Sequence, residues 1–386
     1  MLEDARMTTI ATALPEDWRD GHFALRIQGE AGPQVIALAG GQAFDMTPAF
    51  GTASVWLNAE DPIGAIEARG EPVSLDIPAI IAGQGPALLA PFDLQSLKAC
   101  GVTYARSMLE RVIEERCHGD ASQAEKVRSE VRGIIGDDLA ALRPGSAEAR
   151  ALKESLVAKG WWSQYLEVGI GPDAEIFTKA QPLSAVGSGA KIGIHPGSAW
   201  NNPEPEVVLC VDARGGIVGA TLGNDVNLRD VEGRSALLLG RAKDNNAACA
   251  LGPAIRLFDA GFTLEDIRQA QIELTIQGPD GFALQESGAV GSISRDPTDL
   301  VAQLVNPHHQ FPDGAAFFLG TPFSPSKDRD AAGMGFTHHI GDVVRIASQR
   351  LGALVNTVER TDSCPPWRFG IGALMANLAQ RGLPRG

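Results

Sequence analysis

The sequence predicts an α+β chain in which a smaller α/β N-terminal part, residues 1–160, precedes a larger, mostly β part, residues 161–386. Three observations carry this reading. Short apolar runs broken by Gly and Pro fill residues 20–60. Apolar residues at helical spacing dominate 94–158, and from 161 onward Gly and Pro become dense between short β-rich segments. Strands and helices grouped in runs suit an α+β class better than alternating βαβ units.

Each element follows in order. Phe23–Ile27 and Gln34–Leu38 read as strands bounded by Gly and Pro. Residues 94–158 are expected to be helical. Met108, Leu109, Val112 and Ile113 share one face, Arg111 and Glu115 lie one turn apart on the outside, and Gly119-Asp120 should stop the helix. A second helix is expected over 147–159, with Ser146 as N-cap and Gly160 as stop. Further on, strands are expected at Val207–Val211, Gly216–Leu222, Gln271–Ile276, Ala316–Leu319 and Val343–Ala347, and one helix near Ala254–Asp259. Such a set suits a folded-over, barrel-like or roll arrangement.

Composition narrows the function. Lys and Arg total 33 against 47 Asp and Glu, a formal charge of −14. That excess of acid argues against binding nucleic acid or an anionic membrane. No apolar run approaches the roughly 20 residues of a membrane span. The opening Met1–Trp18 has early acids and no apolar stretch of a secretory leader. Five scattered cysteines without a CxxC argue against a disulfide framework or a zinc-thiolate site, so a reducing, cytoplasmic setting is expected.

The segment Asn201–Asp212 is the most informative. Glu204 and Glu206 are two residues apart at the mouth of an apolar strand, so both carboxylates point to one face. Pro205 fixes an extended backbone between them. A hard divalent cation relieves the repulsion of such a pair. A hairpin-like return would bring Asp225, in the Asn-rich turn that follows Gly219–Gly223, beside them. Three carboxylates without a nearby histidine describe a Mg2+ or Mn2+ site rather than a zinc site.

At this point the residues resemble a known family. Glu204-Pro-Glu206, Asn224–Asp230, Lys243, Gly320–Pro322, Gly341-Asp342 and Leu351–Asn356 occur in the order seen in the fumarylacetoacetate hydrolase superfamily. The resemblance implies Glu204, Glu206 and Asp225 as metal ligands, a mixed β-roll fold for the catalytic part, and a homodimer or higher homo-oligomer. The family's lid motif G-x-N-Y-x-x-H-x-x-E corresponds to Gly101–Glu110, where Glu110 matches and Ser107 replaces the histidine. Without that imidazole, water activation for C–C hydrolysis is unsupported. Trp161–Gly169, Arg241–Ala247, Ile293–Pro297 and Gly335–His338 look closer to the branch of 2-keto-3-deoxypentonate dehydratases, which yield 2-oxoglutarate semialdehyde.

The chemistry expected is elimination from a small 2-oxo acid through a metal-bound enolate. Lys243 is the candidate base or enolate stabiliser, with a pKa lowered by burial. Glu110 is the candidate proton relay to the C4 hydroxyl. Ser107 is expected to bind a substrate hydroxyl, and Thr321 to offer its hydroxyl and backbone to substrate oxygens. Arg229 either pairs with the substrate carboxylate or, less interestingly, with Asp230 or Glu232. His308-His309 and His338-His339 read as structural or surface pairs, and Trp161-Trp162 as packing at the domain junction. Two rivals stand beside this reading: a Mg2+-dependent acylpyruvate-type C–C hydrolase, and a non-catalytic sugar-acid binding protein.

Overall fold

The computed structural model describes residues 11–118, 120–124, 126–129 and 142–384. Strands from the first part are β1 (Phe23–Gly29), β2 (Gly32–Ala39), β3 (Gln42–Asp45), β4 (Glu71–Val73), β5 (Leu88–Leu89) and β6 (Ser96–Gly101). Next come β7 (Glu175–Ala180), β8 (Lys191–Ile194), β9 (Asn201–Asn202), β10 (Pro205–Val211), β11 (Ile217–Asp225) and β12 (Asn227–Leu228). The last six are β13 (Cys249–Leu257), β14 (Gln271–Gln277), β15 (Ala283–Ala289), β16 (Ala315–Phe318), β17 (Val343–Ser348) and β18 (Gly352–Arg360).

Most of these strands join two sheets. The larger runs β4-β3-β2-β1-β13-β11-β10-β16-β6-β7, with β5 on β1, and the smaller runs β15-β14-β17-β18-β8. Strands from both sides of residue 160 therefore share the larger sheet. The two sheets pack over a core that includes Leu209, Leu222, Leu274, Phe317, Ile346 and Leu354. Mixed α/β structure dominated by large β-sheets is the architecture observed.

The five strands expected after residue 161 are all present, as β10, β11, β14, β16 and β17, with Gly216 and Leu319 each one residue outside the observed strand. The helix over 147–159 also forms, as Ala147–Ala158, with the Ser146 hydroxyl accepting from the Ala149 N–H. Two expectations need correction. Ala254–Asp259 is no helix: it falls mostly in β13, where all nine residues are buried, so the strand shows no alternation to read. Residues 94–158 are not helical throughout. They begin with β6, which pairs parallel with β16 and antiparallel with β7. The helix proper is Ala105–Arg116, the lid helix; Gly119, its expected stop, lies outside the described residues. Helices at Gln164–Ile170, Leu264–Arg268, Pro297–Leu304 and Ile371–Gln380 went unread in the second part. No helix among the described residues is long and apolar enough to cross a membrane, and all five cysteines are free and buried.

Candidate active site

The site is built on the β10–β11 hairpin. Glu206 sits in β10 opposite Gly223, and Pro205 opposite Asn224. The Asp225 N–H donates to the Glu204 carbonyl at 3.0 Å, and the Glu204 N–H to Asn224 Oδ1 at 3.1 Å. This register brings one carboxylate oxygen from each of Glu204, Glu206 and Asp225 within 4.8 Å of the others, all three side chains buried. Three buried oxygen donors at that spacing fit a hard divalent cation.

The electrostatics agree with that fit. Burial, with Asp225 and Glu204 beside it, pushes the Glu206 carboxyl well above the usual carboxylate range. Burial also acts to raise Asp225, but Lys179 and Lys243 outweigh it and hold Asp225 low. The Lys243 ammonium bonds Glu204 Oε2, and Asp225 Oδ2 at 3.1 Å. Burial disfavours its charge, yet Asp225, Glu204 and Glu232 prevail, so its pKa is raised rather than lowered as the sequence suggested.

The lid helix closes the site. Ser107, Arg111, Glu175, Glu232, Lys243 and Thr321 line a cavity of about 20 Å³ together with the three carboxylates. That space holds little more than a water. Ser107 donates to the Tyr104 carbonyl at 3.0 Å and turns its side chain to the cavity wall. Thr321 is buried, its hydroxyl 3.1 Å from the Pro205 carbonyl and 2.6 Å from that of Phe323. Next to it the Gly320 N–H donates to Glu206 Oε2 at 2.7 Å. Gly320 has φ +93°, and a Cβ there would fall 2.0 Å from Thr103 Oγ1, so only glycine fits.

Two candidates stay outside this cavity lining. Glu110 is bound by Arg128 at 3.0 Å and Arg229 at 3.1 Å. Burial acts to raise it, but the two guanidinium groups hold it low, so it carries no proton to give at neutral pH. Arg229 pairs with Glu114 at 2.6 Å as well as Glu110 and lies 4.5 Å from the Trp200 ring centroid. It meets neither the cavity nor the partners expected, since Asp230 instead accepts from Ser198 and Ala199. His308 and His309 line a separate cleft with Lys98 and Phe311. His338 is buried against Asp342, and Trp161 packs beneath Arg116.

Four residues in or beside the cavity were not read as site residues from the sequence. Arg111, expected on the outer face, is buried and reaches Glu204 and Glu232, each at 2.5 Å. Lys179 is fully buried, 2.9 Å from Asp225 Oδ1, and donates to the Val226 and Lys243 carbonyls at 3.2 and 2.5 Å. Burial raises the Glu175 carboxyl, and burial pushes Glu232 up to about 7. A Cβ on Gly101 would lie 2.1 Å from Glu175 Oε2, so that glycine leaves room for the carboxyl. The alternation of β7, Glu175–Ala180, was the signal available: its charges at 175 and 179 share one face.

A family profile described as "Fumarylacetoacetate (FAA) hydrolase C-terminal" matches residues 167–359. The chain belongs to the fumarylacetoacetate hydrolase family. It is 30% identical over 194 residues to a probable 2-keto-3-deoxyxylonate dehydratase of Haloferax volcanii, covering 50% of this chain and 63% of that protein. It is 30% identical over 186 residues to a 2-dehydro-3-deoxy-D-arabinonate dehydratase of Saccharolobus solfataricus, covering 48% and 59%. These matches thus span about three fifths of the relatives' length. Among solved structures, 2-keto-3-deoxy-D-arabinonate dehydratase complexed with magnesium and 2,5-dioxopentanoate superposes with a TM-score of 0.61 at 20% identity, over 88% of this chain and 98% of that one. A fumarylacetoacetate hydrolase from Exiguobacterium antarcticum gives 0.56 at 16% identity, over 88% and 99%. At those identities the likeness is one of fold.

Proposed function

We propose that the protein is a Mg2+-dependent hydro-lyase that dehydrates a 2-keto-3-deoxypentonate, the xylonate or arabinonate form, to 2-oxoglutarate semialdehyde (2,5-dioxopentanoate). The observation that carries this is a single cavity holding three carboxylates, Lys243 and the Glu175 carboxyl, with no imidazole in its lining among the described residues. The dehydratase relatives support the same substrate class.

Mg2+, or Mn2+, held by Glu204, Glu206 and Asp225 would polarise the 2-oxo group and acidify C3. The chain's own groups do the rest. Lys243, kept protonated between Glu204 and Asp225, suits the stabiliser of the enolate oxygen better than the base. Glu175, whose carboxyl burial raises, takes the role first given to Glu110: it accepts the proton from C3 and passes it to the departing C4 hydroxyl, which leaves as water. A shift of hydrogen from C5 to C3 then turns the C3=C4 enone into the enol of the aldehyde. Ser107 and Thr321 bind substrate oxygens. Glu110 and Arg229 act by seating the lid. In this division residues 1–160 supply the lid and 161–386 the metal ligands. A cytoplasmic homodimer or higher homo-oligomer is the working state we propose.

The test is metal removal. Exhaustive dialysis against EDTA should abolish dehydration, and Mg2+ or Mn2+ should restore it. Full activity after dialysis would refute a cation-dependent site.

A further inference from the structure

Each of the three carboxylates is gripped on one oxygen by a donor outside the centre. The Gly320 N–H holds Glu206 Oε2 at 2.7 Å, and Lys179 holds Asp225 Oδ1 at 2.9 Å. Arg111 Nη2 holds Glu204 Oε1 at 2.5 Å. The first two donors belong to the larger sheet and the turn that leaves it. Arg111 belongs to the lid helix. Its other terminal nitrogen, Nη1, holds Glu114 at 2.8 Å and Glu232 at 2.5 Å. One side chain therefore ties the lid helix both to a metal ligand and to the short helix Arg229–Glu232 that follows the Asp225 turn.

We propose that Arg111 is a positioning residue that couples the seating of the lid to cation binding at Glu204. The inference rests on the metal reading given above. Outer partners orient ligands, and their loss typically weakens metal affinity about 10–100-fold. Loss of a positive charge acts in the opposite sense, drawing a cation in more strongly. Orientation prevails here because, among the described contacts, Arg111 is what holds Glu204 Oε1, and Lys243 reaches only the other oxygen, Oε2. Binding couplings are reciprocal. If the lid arginine favours the cation, the cation favours the seated lid.

The experiment is Mg2+ calorimetry on the full chain, with hydrogen exchange of residues 105–116 measured with and without Mg2+. Wild type, Arg111→Gln, Arg111→Lys and Arg128→Gln are compared. Arg128 grips the same helix through Glu110, on the lid's own side of the site. Mg2+ should slow exchange in the wild-type lid. Arg111→Gln should raise the Mg2+ dissociation constant about 10–100-fold and lose that slowing. Arg111→Lys should fall between, since an ammonium lacks the fork that spans two carboxylates; it decides the matter if the glutamine variant does not fold. Arg128→Gln should lose clearly less affinity than Arg111→Gln, because Arg229 still holds Glu110. A wild type that binds no Mg2+ overturns the metal reading and this inference together. A wild type that binds, with Arg111→Gln equal or tighter, overturns the coupling alone. An equal loss in Arg128→Gln overturns it too, leaving Arg111 as an ordinary lid anchor.

Discussion

Glu206 is buried beside Glu204 and Asp225, and a neutral amide is a far poorer ligand for a hard cation than a carboxylate. Glu206→Gln should therefore weaken Mg2+ binding by at least about tenfold; unchanged calorimetric affinity would remove Glu206 from the ligand set. The two candidate acids are separated by a paired substitution. Glu175→Gln should lower kcat by on the order of 10²–10⁴ with Mg2+ affinity kept, while Glu110→Gln should cost less and act through the lid. The reverse ranking would return the proton relay to Glu110. Glu204 and Glu206 were legible because they stand two residues apart beside an apolar strand, and Lys243 through the order of the family motifs. Arg111 and Lys179 were not. Helical periodicity separates an apolar face from a polar one, but it cannot tell a polar face turned to water from one turned into a charged cavity. Lys179 meets Asp225 only through sheet packing, across 46 residues of chain (225 − 179).

At the scale of elements, the segment before the metal strand depends on a clamp in the loop that precedes β17. Arg329 bonds Asp342 at 2.6 and 2.7 Å and Asp280 at 2.9 Å. The same loop meets residues 199–201 through Thr337 and His338. Burial acts to raise Asp342, but Arg329 and His338 outweigh it and lower its pKa to about 2. A carboxylate whose folded pKa is depressed contributes stability that is fully present above its unfolded value of roughly 3.9. That contribution is lost as pH falls through the folded value. Asp342→Asn should thus cost about 2 kcal/mol at pH 7, and the gap to wild type should close between about pH 4 and 2. Chemical denaturation across that range checks it; a gap independent of pH would show that Asp342 acts only by packing. The clamp spans 280 to 342, so no local pattern announced it. β13 was misread for a related reason: a strand covered on both faces looks like a buried helix.

The whole molecule places a small, acid-lined cavity at one end of a strand hairpin and closes it with a helix from the other part of the chain. The hairpin and the strand-rich second half were legible from local spacing and turn residues. The joining of β6 and β1 to strands beyond residue 200 was not, because such pairings are set by packing among distant segments. What the arrangement does rests on the pairing of an acidic cation site with a lid that lacks an imidazole. Elimination needs no attacking water, whereas cleavage of a 1,3-diketone does. The most direct measurement incubates the protein with Mg2+ and either racemic 2-keto-3-deoxypentonate or an acylpyruvate, following aldehyde with a coupled dehydrogenase and pyruvate separately. The account predicts rapid aldehyde formation from the sugar acid and almost no acylpyruvate cleavage. Efficient acylpyruvate cleavage with the sugar acid left intact would contradict it.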